Sequence, residues 1–276
     1  MKWLTERNIE RAIAVVWMVL FMVFLLGPLV VVIGASFGSG QRGMIDFPPR
    51  EFTLKWYFAI EPMHLKAVGT SLMLASWSVL LAVVIGVPAA MGLVRSRIAR
   101  KNVVAAMLRA PVQLPAVIDG VAFLQFYYVI GDWSGLYLSG TWYGMLMAHV
   151  FISTPYVVSS VAAVLQRFNH QLEEAALILG ASPWTTIRRV TLPVLAPGVF
   201  SGATYAFLVS FSDLPISLFL ASEDVKTFPV VLFHSMDYDF DPSLLAVSTL
   251  IIIGSFVIML LFQKLMGMGS LLRSNK

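Results

Sequence analysis

Residues 12–33 form a run of 22 residues without a single charge. At about 1.5 Å per residue, a helix of that length reaches across the ~30 Å hydrocarbon core of a bilayer. Residues 68–94 make a second uncharged run, and only 12% of the 276 residues are Asp, Glu, Lys or Arg. Soluble domains carry about 25%. With 58% hydrophobic residues and a mean hydropathy of +0.83, the chain belongs in a membrane. The expected fold class is an all-α integral membrane protein.

Four further runs complete the expected count of six transmembrane helices: residues 110–130, 142–165, 196–221 and 244–266. The first run is too long for a signal-peptide core of roughly 7–15 residues and reads as a retained span, with Gly27-Pro28 as its expected kink. Arg95, Arg97, Arg100 and Lys101 follow the second run, and Arg109 comes soon after. Beside a span end, such a cluster marks the cytoplasmic side rather than a nucleic-acid surface. Lys264, Arg273 and Lys276 give the last span a basic end too, whereas residues 222–242 hold Glu223, Asp224, Asp237, Asp239 and Asp241 against Lys226 alone. Both termini are therefore expected in the cytoplasm. Residues 36–66, with Trp56, Tyr57 and Phe58, read as an outer loop lying partly along the membrane surface, and Trp133, Trp142 and Tyr143 as interface anchors. Residues 1–66 group as a first span with its outer loop, 67–266 as a core of five spans, and 267–276 as a cytoplasmic tail.

Between the fourth and fifth spans, residues 167–195 form the longest polar interlude with an internal plan. Residues 172–179 read as two helical turns with Glu173 and Glu174 in the first turn, where the helix dipole favours negative charge. Gly180 supplies the backbone freedom that ends them. Ser182 has the character of an N-cap, Pro183 occupies the first helical position, and Ile187 and Val190 form an apolar edge. Two short helices meeting at a bend are expected.

The order Glu174-Ala175-Ala176, Gly180 and Val190-Thr191-Leu192-Pro193, at these intervals, resembles the EAA loop of binding-protein-dependent ABC importer permeases. Ala148-His149-Val150, Pro155-Tyr156-Val157-Val158 and residues 205–213 resemble the spermidine/putrescine-type branch. The resemblance implies a type I ABC importer permease core whose cytoplasmic coupling helix sits in a groove on a separate ATPase subunit. Glu173, Glu174, Ala175, Ala176, Gly180, Leu192 and Pro193 would form that coupling element, the two glutamates meeting a basic rim of the partner. It also implies a second permease subunit, two ATP-binding subunits, an extracytoplasmic solute-binding protein, and a place in the bacterial inner membrane. The branch often carries two adjacent acids in its fifth span; here Ser212 stands at the first and Asp213 at the second. Related permeases carry ferric iron, thiosulfate, aminophosphonates or opine-like solutes, and these stand beside polyamines as alternatives.

No Gly-x-x-x-x-Gly-Lys-Ser/Thr sequence is present, so this chain lacks the loop that cradles nucleotide phosphates. ATP and Mg are expected on the partner and no cofactor on this chain. With no cysteine, no second ligand at helical spacing from His149 and no nucleophile beside a base, neither a metal site nor a catalytic residue is expected. Asp119, in the third run, and Asp213, in the fifth, are costly in lipid, by roughly 2.5–3.5 kcal/mol on insertion scales. They line a pathway for a cationic solute, with Ser212 beside them, or else satisfy backbone donors at proline-broken helices. A stand-alone secondary transporter would use the same acids as proton or cation sites but leaves the Glu-Ala-Ala loop unexplained.

Overall fold

The computed structural model describes residues 2–40, 45–96, 99–238 and 240–274. Arg97, Asp239 and Lys276 lie outside the described residues, as do the side chains of Lys2, Arg7, Lys264 and Arg273. Among the described residues twelve α-helices follow in order: α1 Lys2–Ala35, α2 Lys55–Phe58, α3 Pro62–Arg95, α4 Lys101–Gln113, α5 Ala116–Ser134, α6 Trp142–Leu165, α7 Gln171–Ile178, α8 Pro183–Thr186, α9 Leu192–Ser212, α10 Pro215–Leu220, α11 Phe228–Tyr238 and α12 Ser243–Ser274. A π-helical turn, Ile187–Thr191, joins α8 to α9. Among the described residues the only extended pairing is a single bridge between Gly38 and Phe52.

Four helices there are long and apolar enough to cross a membrane: Glu10–Ala35, Pro62–Arg95, Trp142–Leu165 and Pro183–Ser212. The pair α4 and α5 adds a fifth if counted as one broken span, and α12 opens with a shorter apolar stretch, Ser243–Val257.

Two compact units divide the chain, one of residues 1–65 with 232–276 and one of residues 66–231. In the first, α1 packs on α12, and the chain just after α1 is tied to α2 by polar contacts. The Trp56 indole donates to the Gly38 carbonyl at 3.0 Å, and the Ser36 and Tyr57 hydroxyls lie 2.7 Å apart.

The second unit is built on α6 and α9. Leu195 and Ala206 of α9 and Val157, Val158, Val161 and Leu165 of α6 belong to one buried cluster, with Ala82, Ala90 and Leu93 of α3. The two helices meet closely at Gly202: a Cβ built there would stand 2.8 Å from the Val157 Cα. A second cluster joins Tyr127 of α5, Met145 and Ala148 of α6, and Ile216 and Leu220 of α10. The Tyr127 hydroxyl donates to the Gly144 carbonyl at 2.7 Å, so this buried ring leaves no polar atom unsatisfied.

Two spans differ from the sequence expectation. Residues 110–130 are not one helix, because α4 and α5 meet at 100°. Pro115 lacks a backbone donor and pushes Leu114 to an extended conformation, φ −83° and ψ 148°, which ends α4. Asp119 consequently lies in the first turn of α5, not mid-span. Residues 196–221 are also broken: α9 stops at Ser212, Asp213 is extended, and Pro215 opens α10. At its other end α9 is longer than expected, since the backbone stays helical from Pro183 onward.

Candidate functional site

The loop of residues 167–195 is a helix pair hinged at one glycine. In α7 the acids Glu173 and Glu174 occupy the first turn. Gly180 follows with φ +85°, and α8 starts with Ser182 accepting a bond from the Thr185 amide and Pro183 at the first helical position. No side chain surrounds Gly180; a Cβ there would meet nothing within 4 Å. Its requirement is therefore the left-handed backbone, which costs other residues about 1–2 kcal/mol. Gly180→Val is expected to fold normally but present α7 at the wrong angle, lowering transport. Full transport by that variant would show that transport does not depend on the left-handed turn at Gly180.

The two glutamates part company. Glu174 is exposed, while Glu173 turns inward with 16% of its side chain accessible. Glu173 Oε1 accepts from Arg95 Nη2 at 2.5 Å and from the Thr191 hydroxyl, and its Oε2 lies 3.8 Å from His170 Nδ1. Burial alone would push the Glu173 carboxyl up; the Thr191 hydroxyl and the Arg95 guanidinium, with His170, outweigh it and hold the carboxyl below its ordinary value. A lowered value in the folded state makes the contribution complete above the ordinary glutamate range, and it is lost as pH falls through the lowered value. The contact is thus fully present at neutral pH.

Opposite this anchored side, α7 and the turn after it expose an apolar edge. Ile178 is 85% accessible, Leu179 88% and Trp184 69%, and α7 has no buried residue at all. Ala175 is exposed and Ala176 half-buried, while Leu192 is exposed and Pro193 stands at the second position of α9. The sequence pattern located the helix pair, its hinge and its cap. It gave no sign of Arg95, which precedes Glu173 by 78 residues.

A second polar group sits where α9 breaks. The Asp213 carboxylate accepts from the Ser217 amide at 2.9 Å and from the Ser217 hydroxyl at 3.1 Å, capping the turn that Pro215 opens. His149 of α6, fully buried, reaches Ser217 Oγ with Nε2 at 3.1 Å and Ser210 Oγ with Nδ1 at 2.9 Å. Because the Ser217 proton is given to Asp213, Nε2–H donates to Ser217 and Nδ1 accepts from Ser210. His149 thereby ties α6 to both sides of the break. Asp213 is 8% accessible and Asp119 5%, whereas Ser212 is exposed and donates to the Leu208 carbonyl at 2.7 Å. Replacing His149 by leucine keeps most of the volume but leaves the buried Ser210 hydroxyl without its partner, at about 1–3 kcal/mol, and takes one donor from Ser217, which keeps its bond to Asp213. A lower thermal midpoint in detergent is expected; an unchanged one would show that the network adds nothing.

A pocket of about 430 Å³ with a mostly apolar surface lies between α4, α6 and α9, where Arg109, Gln113, Tyr156, Ser159, Ser160 and Tyr205 stand with Val112 and Pro155. Arg109 forms no ion pair among the described residues. Hydroxyls at 156, 159, 160 and 205 are too ordinary singly to attract notice in a sequence, and only the packing of three helices gathers them.

Several apolar spans, two of them joined by an anchored, hinged helix pair with an apolar edge, define a multi-pass membrane component. The family described as binding-protein-dependent transport system inner membrane component matches residues 82–267, and the chain belongs to that family. The putrescine transport system permease protein PotI of Escherichia coli K12 is 30% identical over 241 residues, 86% of this chain and 85% of its own. A probable sulfate transport system permease protein cysT of Anthoceros angustus is 31% identical over 215 residues, 74% of each chain. Among solved structures, a bacterial ABC transporter involved in alginate import aligns with a TM-score of 0.74 at 16% identity, covering 94% of this chain and 97% of its own. That likeness supports the fold of an importer permease.

Proposed function

We propose that this chain is the transmembrane permease subunit of an ATP-driven, binding-protein-dependent importer, working by alternating access. The observation that carries the reading is the hinged pair α7 and α8, apolar on its exposed edge and continuous with α9. Docked on an ATP-binding subunit that holds ATP and Mg, the pair converts closure of that subunit into rotation of the core. Glu174, Ala175, Ala176 and Gly180 belong to the docking side, Glu173 to the anchored side, and Leu192-Pro193 to the entry into α9. A second permease subunit completes the pathway and an extracytoplasmic receptor delivers the solute. Six spans with both termini in the cytoplasm of a bacterial inner membrane fit the positions of the basic and acidic loops.

The solute we infer is a polyamine such as putrescine or a related organic cation, a reading supported by the relative at 30% identity. In it, exposed Ser212 faces the pathway, with Asp119 at the first turn of α5, while Asp213 acts from behind it by fixing the α9 break. A second reading is favoured by the pocket at Arg109, which gathers one cation, four hydroxyls and one amide with no carboxylate, and by the likeness to a sulfate permease. Such a lining suits an oxyanion. Uptake into proteoliposomes holding the ATPase, both permeases and the receptor decides between them. ATP-dependent accumulation of labelled putrescine but not sulfate is the expected result; accumulation of sulfate alone would replace the first reading by the second.

A further inference from the structure

In sequence Arg95 reads only as one member of the basic cluster that marks the inner side of the membrane. In the structure it is the last residue of α3 and the partner of Glu173 in α7. We propose that Arg95 is a positioning residue for the coupling loop, tying α3 through Glu173 to the same helix that feeds α9.

An eight-residue helix with no buried residue cannot hold its place by packing. Isolated helices shorter than about 12–15 residues are marginal even with favourable sequences. What fixes α7 is polar: one carboxylate oxygen of Glu173 is shared by Arg95 and by the Thr191 hydroxyl. Thr191 closes the π-helical turn immediately before α9, and it is fully buried. Glu173 therefore touches three elements at one point: the end of α3, α7 itself, and the start of α9. Only the last follows the loop by chain continuity, through the helical backbone from Pro183 to Ser212. For α3 the Arg95 contact is a direct polar link to the loop, and with side chains 28% and 16% accessible the pair is sheltered from full solvent screening. A displacement imposed on α7 thus reaches two spans at once, α9 by continuity and α3 by charge. Without Arg95, α7 would keep only the Thr191 bond to the start of α9, and α3 would stay behind.

This inference rests on the proposal that the loop docks an ATPase, and the test separates the two. The whole complex is reconstituted with wild-type partners, and solute moved per ATP hydrolysed is measured for wild type, R95Q, E173Q and the exchange R95E/E173R. R95Q and E173Q are expected to retain the ATPase and a near-normal thermal midpoint while losing about tenfold or more in solute per ATP, within the range of ordinary coupling energies. The exchange is expected to recover most of that loss, because it restores the link that either single change removes, and a purely structural role would instead move the thermal midpoint. The chain contains no cysteine, so R95C/E173C joined by a short bis-maleimide gives a second, covalent restoration of the link. Its coupling ratio is expected to rise on cross-linking. A wild-type complex without ATP-dependent transport would overturn the importer reading and this one together. A transporting complex in which R95Q keeps the wild-type ratio, or in which the cross-link arrests transport, would overturn this inference alone.

Discussion

Replacing Ile178 and Leu179 together by aspartate is expected to abolish transport while leaving the chain as stable as before. Both side chains are more than four-fifths accessible, so their removal takes no packing from the fold, and surface changes of this kind usually shift stability by less than about 0.5 kcal/mol. At a docked interface the same change places two unpaired charges where apolar side chains were desolvated. Truncation of buried anchors at interface centres commonly costs about 2 kcal/mol or more each, so two such losses correspond to roughly a thousandfold in affinity. The ATPase subunit recovered with a tagged permease is the direct readout. Normal recovery with the double variant would show that the apolar edge of α7 is not what the ATPase grips. Trp184 at the next corner of the same edge should behave in the same direction, less strongly, because α8 reaches it only after the hinge.

Gly202→Leu is expected to have the largest effect on folding. The Cβ alone would fall 2.8 Å from the Val157 Cα and 3.2 Å from the Tyr156 carbonyl oxygen, both backbone atoms that no side-chain rotation can move aside. The helices α6 and α9 must then separate along the cluster that includes Val161, Leu195 and Ala206. Forcing extra carbons into a packed core typically costs about 1–3 kcal/mol and sometimes more. Close approach at small residues is also how helices associate where lipid offers no hydrophobic driving force. Gly202→Ala should lower the thermal midpoint measurably and Gly202→Leu should prevent accumulation of folded protein. Gly254→Ala in α12 is the control, since a Cβ there meets nothing within 4 Å and alanine favours helix by about 1 kcal/mol. Equal stability of Gly202→Ala and Gly254→Ala would contradict the packing described for α6 and α9.

Much of this was legible in the sequence wherever one stretch of chain carries its own signal. The uncharged runs at 12–33 and 68–94 became parts of α1 and α3, because their length and composition leave helix as the conformation that satisfies the backbone in lipid. The Gly180 hinge and the Ser182-Pro183 start were legible for the same reason, since caps and positive backbone angles are decided by residues within one turn. The break at Pro115 was half legible. Proline announced an interruption, but the 100° angle depends on what α4 and α5 pack against.

What stayed hidden depends on neighbours far along the chain. His149 reads alone as a packing residue, and its role as the link among Ser210, Ser217 and Asp213 exists only once α6 meets the α9 break. Asp213 shows why a charge in an apolar run is an ambiguous signal: the carboxylate is occupied by the Ser217 amide and hydroxyl one turn away. Glu173 and Glu174 look equivalent in sequence, yet adjacent helical residues point about 100° apart at 3.6 residues per turn. One consequently meets Arg95 and the other solvent.

The central claim is that an ATPase drives this chain through the exposed helix pair after Glu173. Its most direct test is to purify the tagged permease from its native membrane, identify the co-purifying chains by mass spectrometry, and measure solute flux after reconstitution with and without ATP. An ATP-binding subunit present in near-equal amount, with flux that requires ATP, is the expected result. A permease recovered without any ATPase, yet carrying solute down an ion gradient with no ATP, would contradict the claim and leave the α7 and α8 pair without the role assigned to it.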